Sequence, residues 1–288
     1  MGAKYRLGAL QERGEPAMKF QPSTIRALLP LLAVLPISAW AAGRIDDPRM
    51  PETAPTQISR HVWAIYCFPN VGIVAGSKGT LVVDTGLGPG NGAVVARQAA
   101  RLSAPGARLY LVTTHFHSEH SAGEGGFPAG TVLVRSRLQQ DDVARDGLPF
   151  VARFRSRPEW KEFLPDGITF RQPDILFDQE YTLDLGGVHA RIILVGPAHT
   201  LGDQVIWIPE DRTVLTGDLA MTTDQMIRYA PGANAALWVN ALDRLAALKP
   251  LHVVPDHGDS GDIRLITDEK AFLLRPAAPT PPPAPRPQ

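Results

Sequence analysis

The sequence predicts a layered α/β domain on three observations. Short β-branched runs alternate with Gly-rich turns from Ile58 onward. A helical pattern follows each block of such runs, so the order strands, helix, strands, helix appears with internal two-fold similarity. His, Asp and Gly recur directly after the apolar runs, which suits a site at one edge of stacked layers.

The elements follow in order. His61–Tyr66, Val71–Ala75 and Thr80–Asp84 read as strands, the last two joined by the turn Gly76-Ser77-Lys78-Gly79. From Gly92 to Leu102 the spacing of Val94, Val95, Ala99 and Leu102 predicts a helix. Leu109–Thr113 and Thr131–Val134 are strands again. Residues 135–174 are irregular and charged and carry Phe150, Phe154, Trp160 and Phe163, which predicts a helix-and-loop insertion facing a substrate. Strands resume at Leu176, His189–Val195, Gln204–Ile208 and Val214–Leu215. Leu237, Ala241, Leu245 and Leu248 predict a helix over 236–248. A short strand at Val253–Pro255 and a closing helix over 262–274 complete the pattern.

The 288 residues are 44% hydrophobic, enough for one large core. Lys+Arg 29 balance Asp+Glu 29, and no basic stripe carries interleaved aromatics, so no nucleic-acid partner is expected. A single cysteine, Cys67, excludes an internal disulfide and a Cys-based zinc site, and it reads as a small buried hydrophobe.

Residues 1–41 read as an N-terminal extension followed by a cleavable secretory signal. Met18, a plausible initiator, Lys19 and Arg26 form a basic region; Ala27–Ile37 is apolar but carries Pro30 and Pro36; Ala39-Trp40-Ala41 offers small residues to a signal peptidase. The apolar stretch is short of the ~20 residues that a spanning helix needs. A periplasmic or secreted, mildly acidic protein is expected, touching a membrane only through its signal. Residues 42–57 read as an extended lead-in, 58–274 as the domain, and 275–288 as a Pro-rich, solvated tail.

Five of the eight histidines form one pattern: His115, His117, His120, His199 and His257. Side chains at i and i+2 of an extended segment point the same way, and a turn just after them aims Glu119 and His120 at a second point nearby. Neutral imidazole and carboxylate suit Zn²⁺, Fe²⁺ and Mn²⁺. A carboxylate such as Asp218 bridges two ions, and metals ~3.5–4 Å apart hold and activate water. His61, His189 and His252 lie outside the pattern and read as structural or exposed. Asp84 and Asp203 fit either the site or turn caps.

On Leu81–Gly86, His115–His120, Ala198–Asp203, Leu215–Asp218 and Val254–Gly258, the sequence resembles the metallo-β-lactamase-fold hydrolase superfamily over residues 58–274. The resemblance implies a four-layer αβ/βα sandwich with metals at one edge. By matching position it implies His115, His117 and His199 on a first metal and Glu119, His120 and His257 on a second. Asp218 would bridge the two, and Asp84 would orient a ligand. Glu119, Asp218 and Asp84 would then carry catalysis. The cofactor implied is two Zn²⁺ per chain, or one Zn²⁺ or Fe²⁺. In one departure, the family has Asp where this chain has Glu119, one methylene longer. Asp218 in a Thr-Gly-Asp context looks like the thioesterase, lactonase and phosphodiesterase branches. Leu215–Met226, Trp238 and the Pro-Asp-His-Gly ending look similar to exported zinc hydrolases linked to sulfur oxidation or quinoprotein systems. The function implied is an exported zinc hydrolase that uses a metal-bound hydroxide on an ester, thioester, lactone or related bond of a small-molecule substrate. The alternatives are β-lactam hydrolysis, a mono-iron persulfide dioxygenase and a non-catalytic metal-binding protein. Neither substrate nor oligomeric state is legible in the sequence.

Overall fold

Apolar alternation along the strands sorts side chains to two faces, and both faces of each sheet are covered. Leu81 and Val83 point into one core and Val82 into another; Leu215 and Val254 face inward while Val214 and Val253 face the opposite layer. The computed structural model describes residues 47–221 and 231–275. The expected signal segment and the Pro-rich tail beyond Arg275 lie outside the described residues.

The first sheet runs in chain order: β1 (Thr56–Gln57), β2 (Val62–Ile65), β3 (Val71–Ala75), β4 (Gly79–Val83), β5 (Arg108–Val112), β6 (Val132–Ser136) and β7 (Ile175–Phe177). β1 to β4 pair antiparallel and β4 to β7 parallel. The second sheet comprises β8 (Glu180–Asp184), β9 (His189–Leu194), β10 (Gln204–Ile208), β11 (Thr213–Gly217) and β12 (His252–Pro255), in the order β12-β11-β10-β9-β8. Only its β11–β12 pair is parallel. Each parallel pair needs a crossover. Helix α1 (Gly88–Leu102) supplies it between β4 and β5, and α6 (Ala235–Ala247) lies between β11 and β12. α1 packs on the outer face of the first sheet; α6 and α7 (Arg264–Leu273) pack on that of the second. The inner faces share the largest core, giving the αβ/βα sandwich.

Between β5 and β6 sits the one-turn helix α2 (Ser118–Ser121), and the insertion holds α3 (Arg137–Asp142), a π-helical turn (Val143–Gly147), α4 (Leu148–Arg155) and α5 (Pro158–Lys161). Ser136 caps α3 by accepting from the Gln139 N–H, and Asn234 caps α6 by accepting from Leu237 N–H at 3.0 Å. Among the described residues no helix is long and apolar enough to cross a membrane.

Several boundaries differ from the sequence reading, and β8 is a strand it did not contain. α1 starts at Gly88 rather than Gly92, because Pro89 in the first turn needs no N–H partner. The insertion begins at Arg137, since Arg135 belongs to β6, where it is buried against Glu124. The lead-in is not free of the domain: Thr56–Gln57 adds an edge strand, Met50 is buried, and Asn91 binds Met50 N–H and the Pro48 carbonyl.

Gly217 ends β11 at a register irregularity with φ +60°, and a Cβ there would lie 2.8 Å from Thr114 Cβ. Gly217→Ala is therefore expected to cost ~1–3 kcal/mol, read as a lowered denaturant midpoint with an unchanged m-value.

Candidate metal centre

The carboxyl ends of the parallel strands meet at one edge of the sandwich. Asp84 follows β4, His115 to His120 follow β5, Asp218 follows β11, and Asp256-His257 follow β12; His199 arrives on the β9–β10 loop. Strand carboxyl ends are where open α/β sheets place ligands. The β5 end is pinned to the other sheet: Gln204 and Gln139 both donate to the Thr113 carbonyl, at 2.7 and 2.8 Å, and Gln204 N–H donates to the Thr114 carbonyl.

The structure brings all seven candidate ligands together. His115 Nε2 lies 2.9 Å from His117 Nδ1, which lies 3.3 Å from His199 Nε2. Asp218 Oδ2 faces this trio, 3.7 Å from His115 Nε2 and 3.5 Å from His199 Nε2. Its other oxygen, Oδ1, faces the second set, 3.5 Å from His120 Nε2 and 3.2 Å from His257 Nε2. Glu119 Oε1 is 3.9 Å from His120 Nε2. One carboxylate thus straddles two donor groups, His115, His117 and His199 on one side and Glu119, His120 and His257 on the other.

Glu119 Oε2, His120 Nε2 and Asp218 Oδ1 are buried without a hydrogen bond of acceptable geometry. Orphaned polar atoms cost free energy unless something else satisfies them, and three on residues gathered in one cluster match a cation site. The hard and borderline donors present fit Zn²⁺ or Fe²⁺.

A second layer fixes the ring orientations. Asp84, held at φ +69°, accepts from Thr114 N–H at 2.6 Å and Thr114 Oγ1 at 2.9 Å. Left-handed backbone at a non-glycine residue marks a locally constrained position. His120 Nδ1 sits 3.1 Å from both Asp84 Oδ2 and Asp256 Oδ2, which directs Nε2 at Asp218. His115 Nδ1 is 3.1 Å from Thr114 Oγ1, leaving Nε2 for the centre. Thr85 holds α2 in place through its N–H and hydroxyl, both donating to the His120 carbonyl.

The electrostatics divide the imidazoles. Burial and the neighbouring imidazoles push His115 and His117 well below the usual histidine value, so both are neutral; Arg153 adds to the effect on His117. For His120, burial opposes charge, but Asp218, Asp256 and Asp84 outweigh it and raise the pKa well above normal. His257 is raised too, Asp218 overcoming burial. Burial opposes ionisation of Asp218 as well, but His257 and His120 beside it hold its pKa well below the carboxylate range. Burial raises Glu119. Burial and the adjacent Asp84 raise Asp256 well above its ordinary value.

Other candidates fall outside the centre. His61 pairs with Asp211 at 2.7 Å and His189 with Glu210 at 2.6 Å. Cys67 is only partly buried, near the Asp47 carbonyl, and burial pushes its thiol up to about 12. Asp203 turns away to accept from Thr200 N–H at 2.8 Å and Thr200 Oγ1 at 2.5 Å, closing the loop that carries His199. Sequence reasoning missed Asp256, Thr114 and Asn70. Asn70 donates to the Pro255 and Gly258 carbonyls at 2.9 and 2.7 Å and so brackets His257. Only Asp256 had a legible signal, its place beside His257.

Burial pushes Asp203 up to about 7, against the opposing Thr200 hydrogen bonds. The folded state then keeps a proton that the unfolded chain loses, so this group's contribution to stability falls as pH rises from about 4 to 7. Chelator-treated Asp203→Asn should lose less stability than wild type across that window, measured by denaturant midpoints at each pH.

The model of the metallo-β-lactamase superfamily matches residues 65–257. A metallo-β-lactamase type 2 from Bacteroides fragilis is 29% identical over 105 residues, 35% of this chain and 42% of that protein, so the match spans about two fifths of the relative's length. A metallo-β-lactamase from Pontibacter korlensis has a similar fold, with TM-score 0.59 and 21% identity over 78% of this chain and 99% of that one. The stereoselective inverting sec-alkylsulfatase Pisa1 from Pseudomonas sp. aligns at TM-score 0.59 and 16% identity over 76% of this chain and 41% of its own. The DIM-1 metallo-β-lactamase aligns at 0.59 and 16% over 78% and 98%. With the family model running from β2 to His257, the chain belongs to the metallo-β-lactamase superfamily, whose homologues are metal-dependent hydrolases.

Proposed function

We propose that the chain is an exported hydrolase that uses two zinc ions to cleave an ester, thioester, lactone or related acyl bond of a small molecule. The observation that carries this reading is Asp218, whose two oxygens face two separate donor groups. His115, His117 and His199 would hold one ion and Glu119, His120 and His257 the other, with Asp218 shared. When bound, the ions supply Lewis acidity, lowering the pKa of a water toward ~7 and polarising the substrate oxygen.

The chain's own groups do the rest. Burial keeps His115 and His117 neutral and their lone pairs available. Asp84 and Asp256 hold the His120 ring with Nδ1 toward them and Nε2 toward Asp218. Glu119 keeps Oε2 without a protein partner, which leaves that oxygen to orient the attacking water. The extra methylene of Glu119 does not keep its carboxylate from the His120–His257 group. Export rests on the basic, apolar and Ala39-Trp40-Ala41 segments of the leader. β-Lactam hydrolysis is the second reading, favoured by the likeness to the Bacteroides fragilis metallo-β-lactamase type 2.

The test is a panel of 4-nitrophenyl acetate, acetylthiocholine, a γ-lactone and nitrocefin, with and without chelator. Chelator-sensitive hydrolysis of the first three supports the acyl-bond reading; hydrolysis of nitrocefin alone moves the assignment to β-lactams. Oxygen consumption with a persulfide, or inertness toward every probe in the metal-loaded protein, contradicts both. Asp84→Ala should lower kcat/KM or metal affinity by about 10–100-fold, and Asp218→Asn should cost more than that.

A further inference from the structure

Aromatic rings form a wall beside the centre: Phe150, Phe154 and Trp160 come from the insertion and Phe68 from the β2–β3 loop, with Phe150 and Phe68 half-buried and Phe154 and Trp160 buried behind them. Phe150 on α4 stacks on His117, with centroids 4.1 Å apart and planes 3° apart, and makes an edge contact with Phe116. Phe154 follows at 5.1 Å from Phe150, and Trp160 stacks on Phe154 at 4.4 Å. Phe68 stacks on Trp160 at 5.6 Å and reaches His257 at 4.7 Å. The wall therefore runs from a histidine of one donor group to a histidine of the other.

Arginines of the insertion behave in two ways. Arg145 binds Asp142 and Asp146, and Arg155 binds Asp166. Arg153 has no carboxylate partner among the described residues; its guanidinium lies over the Phe150 ring, 5.5 Å from the centroid. Arg157 lies over Trp160 at 4.2 Å. A guanidinium stacked on a ring keeps its in-plane N–H donors for an anion. Arg153 is exposed and only one ring removed from His117, so an anion can reach it from solvent while the rest of the same molecule approaches the centre.

From this juxtaposition we propose that Arg153 and Phe150 form a specificity site for substrates that join an anionic group to an apolar or aromatic body. The anion is held by Arg153, and the apolar body rests against the half-buried Phe150 ring beside the scissile bond. This rests on the hydrolase reading for its catalytic meaning but not for binding.

The test separates the two. Calorimetric titrations with 1-naphthylacetate and with neutral 1-naphthylacetamide are run on zinc-loaded and on chelator-treated protein. Since one charged hydrogen-bond partner is at stake, the carboxylate should bind about tenfold tighter than the amide in both forms. Arg153→Gln should abolish that preference, Arg153→Lys should retain part of it, and Phe150→Leu should weaken both ligands alike. In hydrolysis, the kcat/KM ratio of mono(4-nitrophenyl) glutarate to 4-nitrophenyl butyrate should fall by a similar factor in Arg153→Gln. Equal binding of acid and amide, no binding of either, or a preference surviving Arg153→Gln overturns the proposal. Arginine-dependent binding without hydrolysis of any ester leaves it standing and overturns the hydrolase reading instead.

Discussion

Thr114 Oγ1 joins the two halves of the molecule. It donates toward Asp84 Oδ2 after β4, lies 3.1 Å from Asp256 Oδ2 after β12, and meets Nδ1 of its neighbour His115. Both carboxylates also converge on His120 Nδ1. Two strand ends of the first sheet and one of the second are thereby fixed against each other within a few ångströms. The rest of the architecture serves that closure: Gly217 takes a positive φ so that β11 passes Thr114, and Asn70 clamps the turn after β12.

So many ionisable groups in a buried volume need compensation, because burying an unpaired charge costs more than packing returns. The protein achieves this only in part. Asp256 is pushed toward its protonated form, and His115 and His117 are held neutral, which lowers the buried charge. Asp218 Oδ1 and Glu119 Oε2 remain without a protein hydrogen bond, and His120 Nε2 lies 3.5 Å from Asp218 Oδ1. Neutral His115 and His117 beside unsatisfied carboxylate oxygens are what a divalent cation completes. The same reasoning separates Asp84, whose oxygens are occupied by Thr114 and His120, from Asp218, whose oxygens point into the centre.

Much of this was legible in the sequence because short segments carry the information. The i, i+2 spacing of His115 and His117 after an apolar run and the Thr-Gly-Asp ending of β11 point to the centre without a structure. The layered fold was visible in the alternation of Val and Leu along β4 and β11. What stayed hidden depends on long-range closure. Asn70 precedes Asp256 by 186 positions and looks like an ordinary turn residue until β12 packs beside it. Asp256 stood in the Val254–Gly258 motif without a role, because only the approach of β4 and α2 brings its carboxyl to His120 Nδ1. Phe150 is one of several aromatics in an irregular insertion, and only the path of α4 selects it to stack on His117. The edge strand at Thr56–Gln57 was missed because two residues carry no periodicity.

The central claim is that Asp218 is shared between two cation sites rather than belonging to one. Equilibrium titration of chelator-treated protein with Zn²⁺, followed by metal analysis after dialysis, tests it most directly. The account predicts two ions per chain in wild type and loss of affinity at both sites in Asp218→Asn. Two ions with only one site affected by that substitution, or a single ion in the folded wild type, would contradict it.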